Sequence, residues 1–522
     1  MNKLRKVILV EGIVQGVGFR PFVYKLAADF KLKGWVNNTS LGVIVDIEGR
    51  EEQVLSFIEM LKNNTPSLAK VSNITINSKE LIGYENFEIK FSKEEENIST
   101  LISPDISICD DCKKEIFDVE NRRYRYAFTN CTNCGPRFSI IKKLPYDRKT
   151  TTMEAFKMCP QCKKEYTNPL DRRFHAQPNA CPECGPQLCL VDNKNQKIDA
   201  KGSIKEAISL IKKGKILAIK GIGGFHLVCD GRNYEAIKLL RDRKKRPYKP
   251  MAVMVKDLEV AKKYCYLSKR EEEVILSNKR SIVILKRRLE IQLPDNLAPY
   301  NKTLGVMLPY TPLHYLLFDE GIEILVMTSA NISGEPMIYK NEEAMERLNN
   351  IVDYFLMHNR DIYLPIDDSV TRVSLKDERT IRVARGYSPI TVNMKGSGKI
   401  LACGSHLKNT LAISKEDNIF ISQYIGDMEN AKTYNSFERN LNNFKQIYKI
   451  EPEIIAYDLH PDYWSNDLVN NFKGERVAVQ HHHAHIASCM AENNINEKVI
   501  GVAYDGTGYG DDGNIWGGEF LI

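Results

Sequence analysis

Apolar and polar residues alternate from Lys6 to Glu11, the period of a half-buried strand, and a glycine-punctuated stretch follows, Gly12-Ile-Val-Gln-Gly16-Val-Gly18-Phe-Arg20. The pattern then predicts a helix over Pro21–Phe30, strands at Gly34–Asn38 and Gly42–Glu48, an amphipathic helix over Glu51–Lys62, and two more strands. That βαββαβ order is ferredoxin-like. Farther on, Ser203 with Glu206 reads as a capping box opening an amphipathic helix to Lys213. Apolar runs at Ile216–Lys220, Met251–Val255, Ile324–Met327, Ile454–Asp458 and Val499–Tyr504 read as strands, so most of the chain is α/β. Ile400-Leu-Ala-Cys-Gly404 opens a strand, turn and strand, and Gln480 opens a helix.

Between these regions the periodicity fails. Ser92–Thr100 is a charged, apolar-poor connector, and the stretch after it carries few long apolar runs. What it carries is a duplication. Cys109-Asp-Asp-Cys112 is followed by eighteen residues and Cys131-Thr-Asn-Cys134; fifty residues on, Cys159-Pro-Gln-Cys162 is followed by eighteen residues and Cys181-Pro-Glu-Cys184. Lys-Lys-Glu (113–115, 163–165), Arg-Arg-aromatic (122–124, 172–174) and Gly-Pro (135–136, 185–186) recur in both copies. A two-residue gap turns both thiolates toward one tetrahedral ion, so two closed structural zinc sites are expected, with metal in place of a core. A disulfide framework is the alternative, but it belongs to short secreted chains. The arginine clusters at 122–125 and 172–173 are expected to be a solvated face bracing neighbouring domains, and His175 is not expected to be a ligand, since four thiolates already close its site.

Length and charge set the outer limits. A chain of 522 residues has room for about three to five domains. No apolar run reaches the roughly eighteen residues of a membrane span. The N-terminus reads as a strand, not a signal peptide. The net charge of +7 is too small and dispersed to argue for a nucleic-acid partner. Cys189, Cys229, Cys265, Cys403 and Cys489 show no pairing pattern and read as buried thiols of a cytoplasmic protein.

Three stretches carry candidate chemistry. The glycines before Arg20 free backbone N–H groups to surround an anion, and a guanidinium beside a helix start completes a phosphate cradle. Arg241–Pro250 holds six basic residues running into an apolar strand, and Thr328-Ser-Ala-Asn331 sets hydroxyl and amide groups at a strand end; together these suit a triphosphate or carbamate. His226, His314 and His358 are singletons, expected to be packed or on the surface. In Gln480-His-His-His-Ala-His485, His481 and His485 share a helix face at metal-ligand spacing, and Asp505 in the glycine loop 505–513 offers a carboxylate.

Residues 1–91 resemble the acylphosphatases through Gly-x-Val-Gln-Gly-Val-x-Phe-Arg and Gly34-Trp-Val-Asn-Asn38. The resemblance implies that Arg20 holds an acyl phosphate and that Asn38, rather than Asn37, positions the attacking water. Residues 200–390 resemble the YrdC domain through Lys244-x-Arg246-Pro247, Lys249, Ser329-x-Asn331 and Arg385-Gly-Tyr-Ser-Pro. This implies phosphate neutralisation by Lys244, Arg246 and Lys249, with Ser329 and Asn331 gripping ATP brought as its magnesium complex. Residues 395–522 resemble the first lobe of a TsaD-type, actin-like ATPase domain. That implies a divalent ion, iron or zinc, at His481, His485 and Asp505, and a domain expected to need a second lobe beyond Ile522.

Taken together, an acylphosphatase-like domain (1–91), a linker with tandem zinc modules (92–199), a YrdC-like domain (200–390) and a TsaD-like domain (395–522) resemble the HypF family of hydrogenase-maturation carbamoyltransferases. The resemblance implies hydrolysis of carbamoyl phosphate, formation of carbamoyl-AMP and transfer to the C-terminal cysteine of a partner, HypE, toward the cyanide ligands of a nickel–iron hydrogenase. A tRNA threonylcarbamoyl-modifying enzyme fits the last two domains but not the first two. A small-molecule O-carbamoyltransferase has no evident need for residues 1–190, and a zinc scaffold would make Arg20, Lys244 and His481 dispensable.

Overall fold

The computed structural model describes residues 3–39, 41–66, 68–90, 101–198, 202–332 and 334–522. The connector Ser92–Thr100 lies outside the described residues. Contacts divide the chain into two compact units: residues 1–333 with 337–387, and 388–522 with the short segment 334–336.

The first unit begins with a five-stranded sheet. Lys3–Ile13 sits between Val43–Arg50 and Lys70–Lys79, antiparallel to both, and Lys33–Asn38 continues the sheet to a parallel edge strand, Phe87–Ile89. Helices Phe19–Asp29 and Glu51–Asn63 cover one face. Their apolar stripes (Val23, Leu26 and Ala27; Val54, Phe57 and Leu61) meet Ile8, Val10, Val43, Val45 and Ile47, all buried. The expected ferredoxin-like order is observed. One detail differs: Arg20 lies inside the first helical turn, because Gly18, at φ 77°, serves as the N-cap.

An eleven-stranded mixed sheet forms the larger part of this unit. At its centre Ile324–Ser329 pairs antiparallel with both Phe225–Asp230 and Val253–Val255, in a register that sets Ser329 opposite His226. The helix expected from Ser203 starts one residue earlier than its capping box would set it: Gly202, at φ 106°, is the N-cap, and Ser203 makes no capping bond.

Each Cys-x-x-Cys pair that opens a module wraps a helix start. Cys109 and Cys159 are the N-caps of Asp110–Phe117 and Pro160–Thr167. Helix N-termini favour thiolates, so the spacing serves the ligands and the fold at once. Only the second module lacks a core, its buried cluster being Cys159, Cys162 and Cys181. The first is packed into the sheet: Ile108, Ile116, Tyr126 and Phe128 share one core with Leu313, Leu325 and Leu356. Here metal adds to a core instead of replacing it.

The paired arginines are not a solvated face. Arg123 is 2% exposed and Arg173 4%. Arg123 of the first module donates to Glu165 Oε1 (2.9 Å) and Oε2 (2.5 Å) of the second, while Arg173 pairs in return with Glu115 of the first. Their neighbours reach the cysteines themselves: Arg122 Nη2 lies 2.9 Å from Cys162 Sγ, and Arg172 Nη2 3.2 Å from Cys112 Sγ. The recurring Arg-Arg and Lys-Lys-Glu words therefore specify a reciprocal brace. Of the remaining cysteines, Cys229, Cys265 and Cys403 are buried as expected, but Cys189 is half-buried and Cys489 exposed, on the outer face of the helix His481–Glu492.

The second unit is built on a six-stranded sheet. Ile390–Asn393, Asn418–Ile421, Ala412–Lys415 and Ile400–Ala402 run as an antiparallel series, then Ile454–Asp458 and Glu475–Val479 add in parallel. The helix Ala431–Tyr448 buries Phe437, Phe444, Ile447 and Tyr448. Apolar positions at 499–504 form a shorter strand than their pattern suggests, Gly501–Ala503. Among the described residues no helix is long and apolar enough to cross a membrane.

Breaking a buried ion pair strands its partner's charge, at a cost of about 3 kcal/mol or more. Chemical denaturation of the Arg123→Ala chain should show a loss of that order. Arg379→Ala, at a 57%-exposed pair, should change stability by less than about 0.5 kcal/mol. Equal effects from both variants would remove the brace from any special role.

Candidate active sites and metal centres

Three places gather the residues singled out above. The first is a cavity of about 30 Å³ at the start of the helix Phe19–Asp29, lined by Gln15, Gly16, Arg20 and Asn38. Gly16 holds φ 72°, and a Cβ there would meet Arg137 and Tyr146 at 3.2–3.3 Å, so glycine is needed both for conformation and for space. Asn38 ends its strand and lines the cavity, with Oδ1 buried and without a hydrogen-bond partner among the described residues. Asn37 does not line the cavity.

The opposite wall was not anticipated. It comes from the zinc-module region: Thr132, Arg137, Tyr146, His175 and Gln177. Arg20 Nη2 lies 3.1 Å from Asp147 Oδ1, Arg137 Nε donates to the carbonyl of Gly16 (2.5 Å), and the Tyr146 amide donates to Gln15 Oε1 (3.2 Å). Nothing in the spacing of 131–177 marks these residues as neighbours of Arg20. The only signal was that they lie in the inserted, core-poor stretch.

The second place is the strand end at Ser329. Lys244 Nζ donates to the Ser329 carbonyl (2.6 Å) and to Asn331 Oδ1 (3.1 Å), and Ser329 Oγ donates to the same Oδ1 (3.1 Å). Arg246 Nη1 donates to Thr328 Oγ1 (3.0 Å). Lys249 is exposed, with its carbonyl accepting from Arg241 and Arg246. Burial first, then the charges of Arg246 and Lys249, push the Lys244 ammonium down to about 7. Arg246 is pushed to about 10 by burial and by Arg241 and Arg382. Two of the basic residues hold the scaffold instead. Arg241 donates to the Asn296, Leu297 and Lys249 carbonyls, and Arg243 pairs with Asp353. Opposite Ser329 in the sheet, His226 Nε2 lies 2.8 Å from Asp368 Oδ2, and Asp368 Oδ1 accepts from Arg385 Nε at 2.8 Å. Burial opposes this carboxylate's charge, but Arg385 and His226 hold it below the usual range. The three histidines expected to be packed or on the surface (His226, His314 and His358) are all buried.

In the second unit His481, His485 and Asp505 bring one ligand atom each within 4.8 Å of one another. Asp505 Oδ2 is 2.9 Å from His481 Nε2 and 3.2 Å from His485 Nε2. Asp458 Oδ2, at the end of its strand, takes His481 Nδ1 at 2.6 Å, and that bond raises the imidazole pKa. A carboxylate behind a histidine, with the other ring nitrogen facing a second donor, fits a divalent ion. Gln480 caps the helix by accepting from the His483 amide. His482 points to the other side, buried, with Nε2 3.3 Å from the Asp505 carbonyl.

The two four-cysteine clusters pass a sharper test of fit. Sγ–Sγ separations are 3.6–3.8 Å in both. A regular tetrahedron with zinc–sulfur bonds of about 2.3 Å has edges of about 3.8 Å, whereas a disulfide would need about 2.05 Å. A tetrathiolate zinc centre is dianionic, and in each module the arginine pair of the other supplies the opposing charge.

Comparison with known proteins accounts for almost the whole chain. Residues 6–89 match the family described as Acylphosphatase, 108–141 and 158–191 the HypF finger, and 209–385 the Sua5/YciO/YrdC family described as Telomere recombination. Residues 395–492 match the HypF Kae1-like domain, and 501–522 the second subdomain of the carbamoyltransferase Kae1-like domain. Asp505 thus falls in the portion matched by the second subdomain, not the first. Together these domains define a multidomain carbamoyltransferase with an acylphosphatase domain at its N-terminus. The chain is 46% identical over 518 residues to the carbamoyltransferase HypF of Synechocystis sp., covering 98% of this chain and 67% of that protein. It is 44% identical to carbamoyltransferase HypF2 of Cupriavidus necator, covering 99% and 67%. A crystal structure of full-length HypF in a phosphate- and nucleotide-bound form superimposes with a TM-score of 0.96 at 48% identity, covering 100% of this chain and 68% of that one. The T. kodakarensis HypF structure gives 0.92 at 44% identity, covering 99% and 68%. The chain belongs to the HypF carbamoyltransferase family.

A lysine held near 7 among other cations should regain its proton when a polyanion arrives. At pH 8, where free Lys244 is mostly neutral, ATP binding should therefore take up close to one proton per site; at pH 6 it should take up almost none. Calorimetry in buffers of different ionisation enthalpy reads this directly. Uptake should vanish in Lys244→Met, and equal uptake at both pH values would refute the assignment.

Proposed function

We propose that this chain passes one carbamoyl group through three reactions. In the first pocket, Arg20 holds the phosphoryl oxygens of carbamoyl phosphate and Asn38 Oδ1 orients the attacking water, giving carbamate and phosphate. In the second, a carbamate oxygen attacks the α-phosphorus of ATP, brought as its magnesium complex, and pyrophosphate leaves. Lys244, Arg246 and Lys249 offset the charge that builds on the phosphates, while Ser329 and Asn331 hold the nucleotide. Such catalysis rests mostly on positioning and charge stabilisation. In the third, the carbamoyl carbon of carbamoyl-AMP is taken by the C-terminal cysteine thiolate of HypE, and AMP leaves.

The observation that carries this reading is the occurrence, in one compact unit, of a cavity lined by Arg20 and Asn38 and of a basic cluster around the buried Lys244. Support comes from the relative captured with phosphate and nucleotide. Zinc is assigned to both four-cysteine clusters as structural metal. His481, His485 and Asp505 would hold iron or zinc, which as a Lewis acid would polarise an oxygen of the carbamoyl donor. Asp458, bonded to Nδ1, would keep the Nε2 of His481 available to that ion.

Incubation with carbamoyl phosphate and ATP should release both phosphate and pyrophosphate. Arg20→Ala should lose both, and Lys244→Ala pyrophosphate alone. Pyrophosphate release that does not depend on carbamoyl phosphate would sink the sequence of steps. For the metal centre, Asp458→Asn should weaken iron(II) or zinc binding by about 10–100-fold in a metal titration. Unchanged affinity would contradict the role given to Asp458.

A further inference from the structure

One of the positions at which the duplicated modules differ faces the cavity at Arg20. Arg125 and His175 occupy equivalent places fifty residues apart. Both adopt left-handed backbone, at φ 56° and 53°, and both donate their amides to equivalent carbonyls, Ile116 and Tyr166. In the first copy the guanidinium reaches Asp319. In the second copy an imidazole stands in its place and lines the cavity with Arg20 and Asn38. Its ring stacks on Tyr166 (centroids 5.0 Å apart) and meets Phe174 edge-on (4.6 Å); Phe174 in turn packs against Tyr24 of the helix that carries Arg20. Nδ1 is buried and has no hydrogen-bond partner among the described residues. Burial, aided by the nearby Arg20 charge, pushes this histidine down to about 3, so it presents a neutral ring.

A neutral ring in a pocket for an anion does not serve the phosphoryl group, which Arg20 and the backbone amides already suit. It serves the other end of the substrate. The cavity is small, about 30 Å³, and His175 forms part of its wall. A carbamoyl group is small and its NH₂ donates to an unprotonated imidazole nitrogen. We propose that His175, delivered by the second zinc module, is the residue that restricts the phosphatase pocket to acyl phosphates with a small, hydrogen-bond-donating acyl group. This rests on the hydrolytic step proposed above and adds to it the origin of its selectivity.

The test uses the full chain and two substrates, carbamoyl phosphate and benzoyl phosphate, with steady-state phosphate release as the readout. His175→Gly keeps the left-handed backbone without strain. It should raise the ratio of kcat/KM for benzoyl over carbamoyl phosphate at least ten-fold, chiefly through a lower KM for benzoyl phosphate and a higher one for carbamoyl phosphate. Arg125→Gly, the same change in the other copy, should leave the ratio as it is. If His175→Gly loses zinc, His175→Asn, which also tolerates this backbone, takes its place and should give the same direction. An unchanged ratio at full zinc content, or an equal rise in both copies' variants, overturns the proposal while leaving the hydrolase reading intact. If the wild-type chain releases phosphate from neither substrate, the hydrolase reading falls and this proposal falls with it.

Discussion

The arginine exchange between the two four-cysteine modules is the interaction on which the rest of the first unit depends. The second module has no apolar core of its own, and with zinc bound each centre carries excess negative charge. Arg122 and Arg123 answer the second centre and its Glu165; Arg172 and Arg173 answer the first and its Glu115. The first module is anchored in the core of the large sheet, so the brace extends that anchorage to the second. Residues Arg137 to Gln177, held in this way, then form one wall of the phosphate cavity.

The two proposed anion sites of the unit are stabilised differently. At Arg20 the guanidinium already has a partner in Asp147, and the glycine loop supplies amides, so charge is balanced before a substrate arrives. At Lys244 burial, with the charges of Arg246 and Lys249, holds the ammonium back. A pocket of the second kind gains most from a polyanion, while one of the first kind suits a small phosphoryl group that must leave again. That contrast suits the hydrolytic site and the nucleotide-consuming site proposed above.

Much of this was legible in the sequence. Alternation and glycine placement gave the ferredoxin-like order, and the cysteine spacing gave two four-thiolate clusters. The i, i+4 histidines do meet Asp505. What escaped depends on partners far apart in the chain. Arg123 looked solvated because its partner, Glu165, lies 42 residues on, in the other copy, and a charged pair that buries itself leaves no apolar signature. The cavity wall at Tyr146 and His175, and the Arg20 partner Asp147, were hidden for the same reason. His226 was an unremarkable singleton until the fold set it between Ser329 and Asp368. Ser203 misled because its helix took Gly202, with its unusual φ, as the cap.

The claim that the modules hold the wall of the Arg20 cavity in place is tested most directly by removing their metal. The chain is titrated with a chelator while zinc release and carbamoyl-phosphate-dependent phosphate release are followed together. Both zinc ions should leave in one cooperative step, because each centre depends on the other's arginines, and phosphate release should fall in step with them. Loss of zinc in two separate steps, or hydrolysis that continues undiminished in the zinc-free chain, would contradict the account.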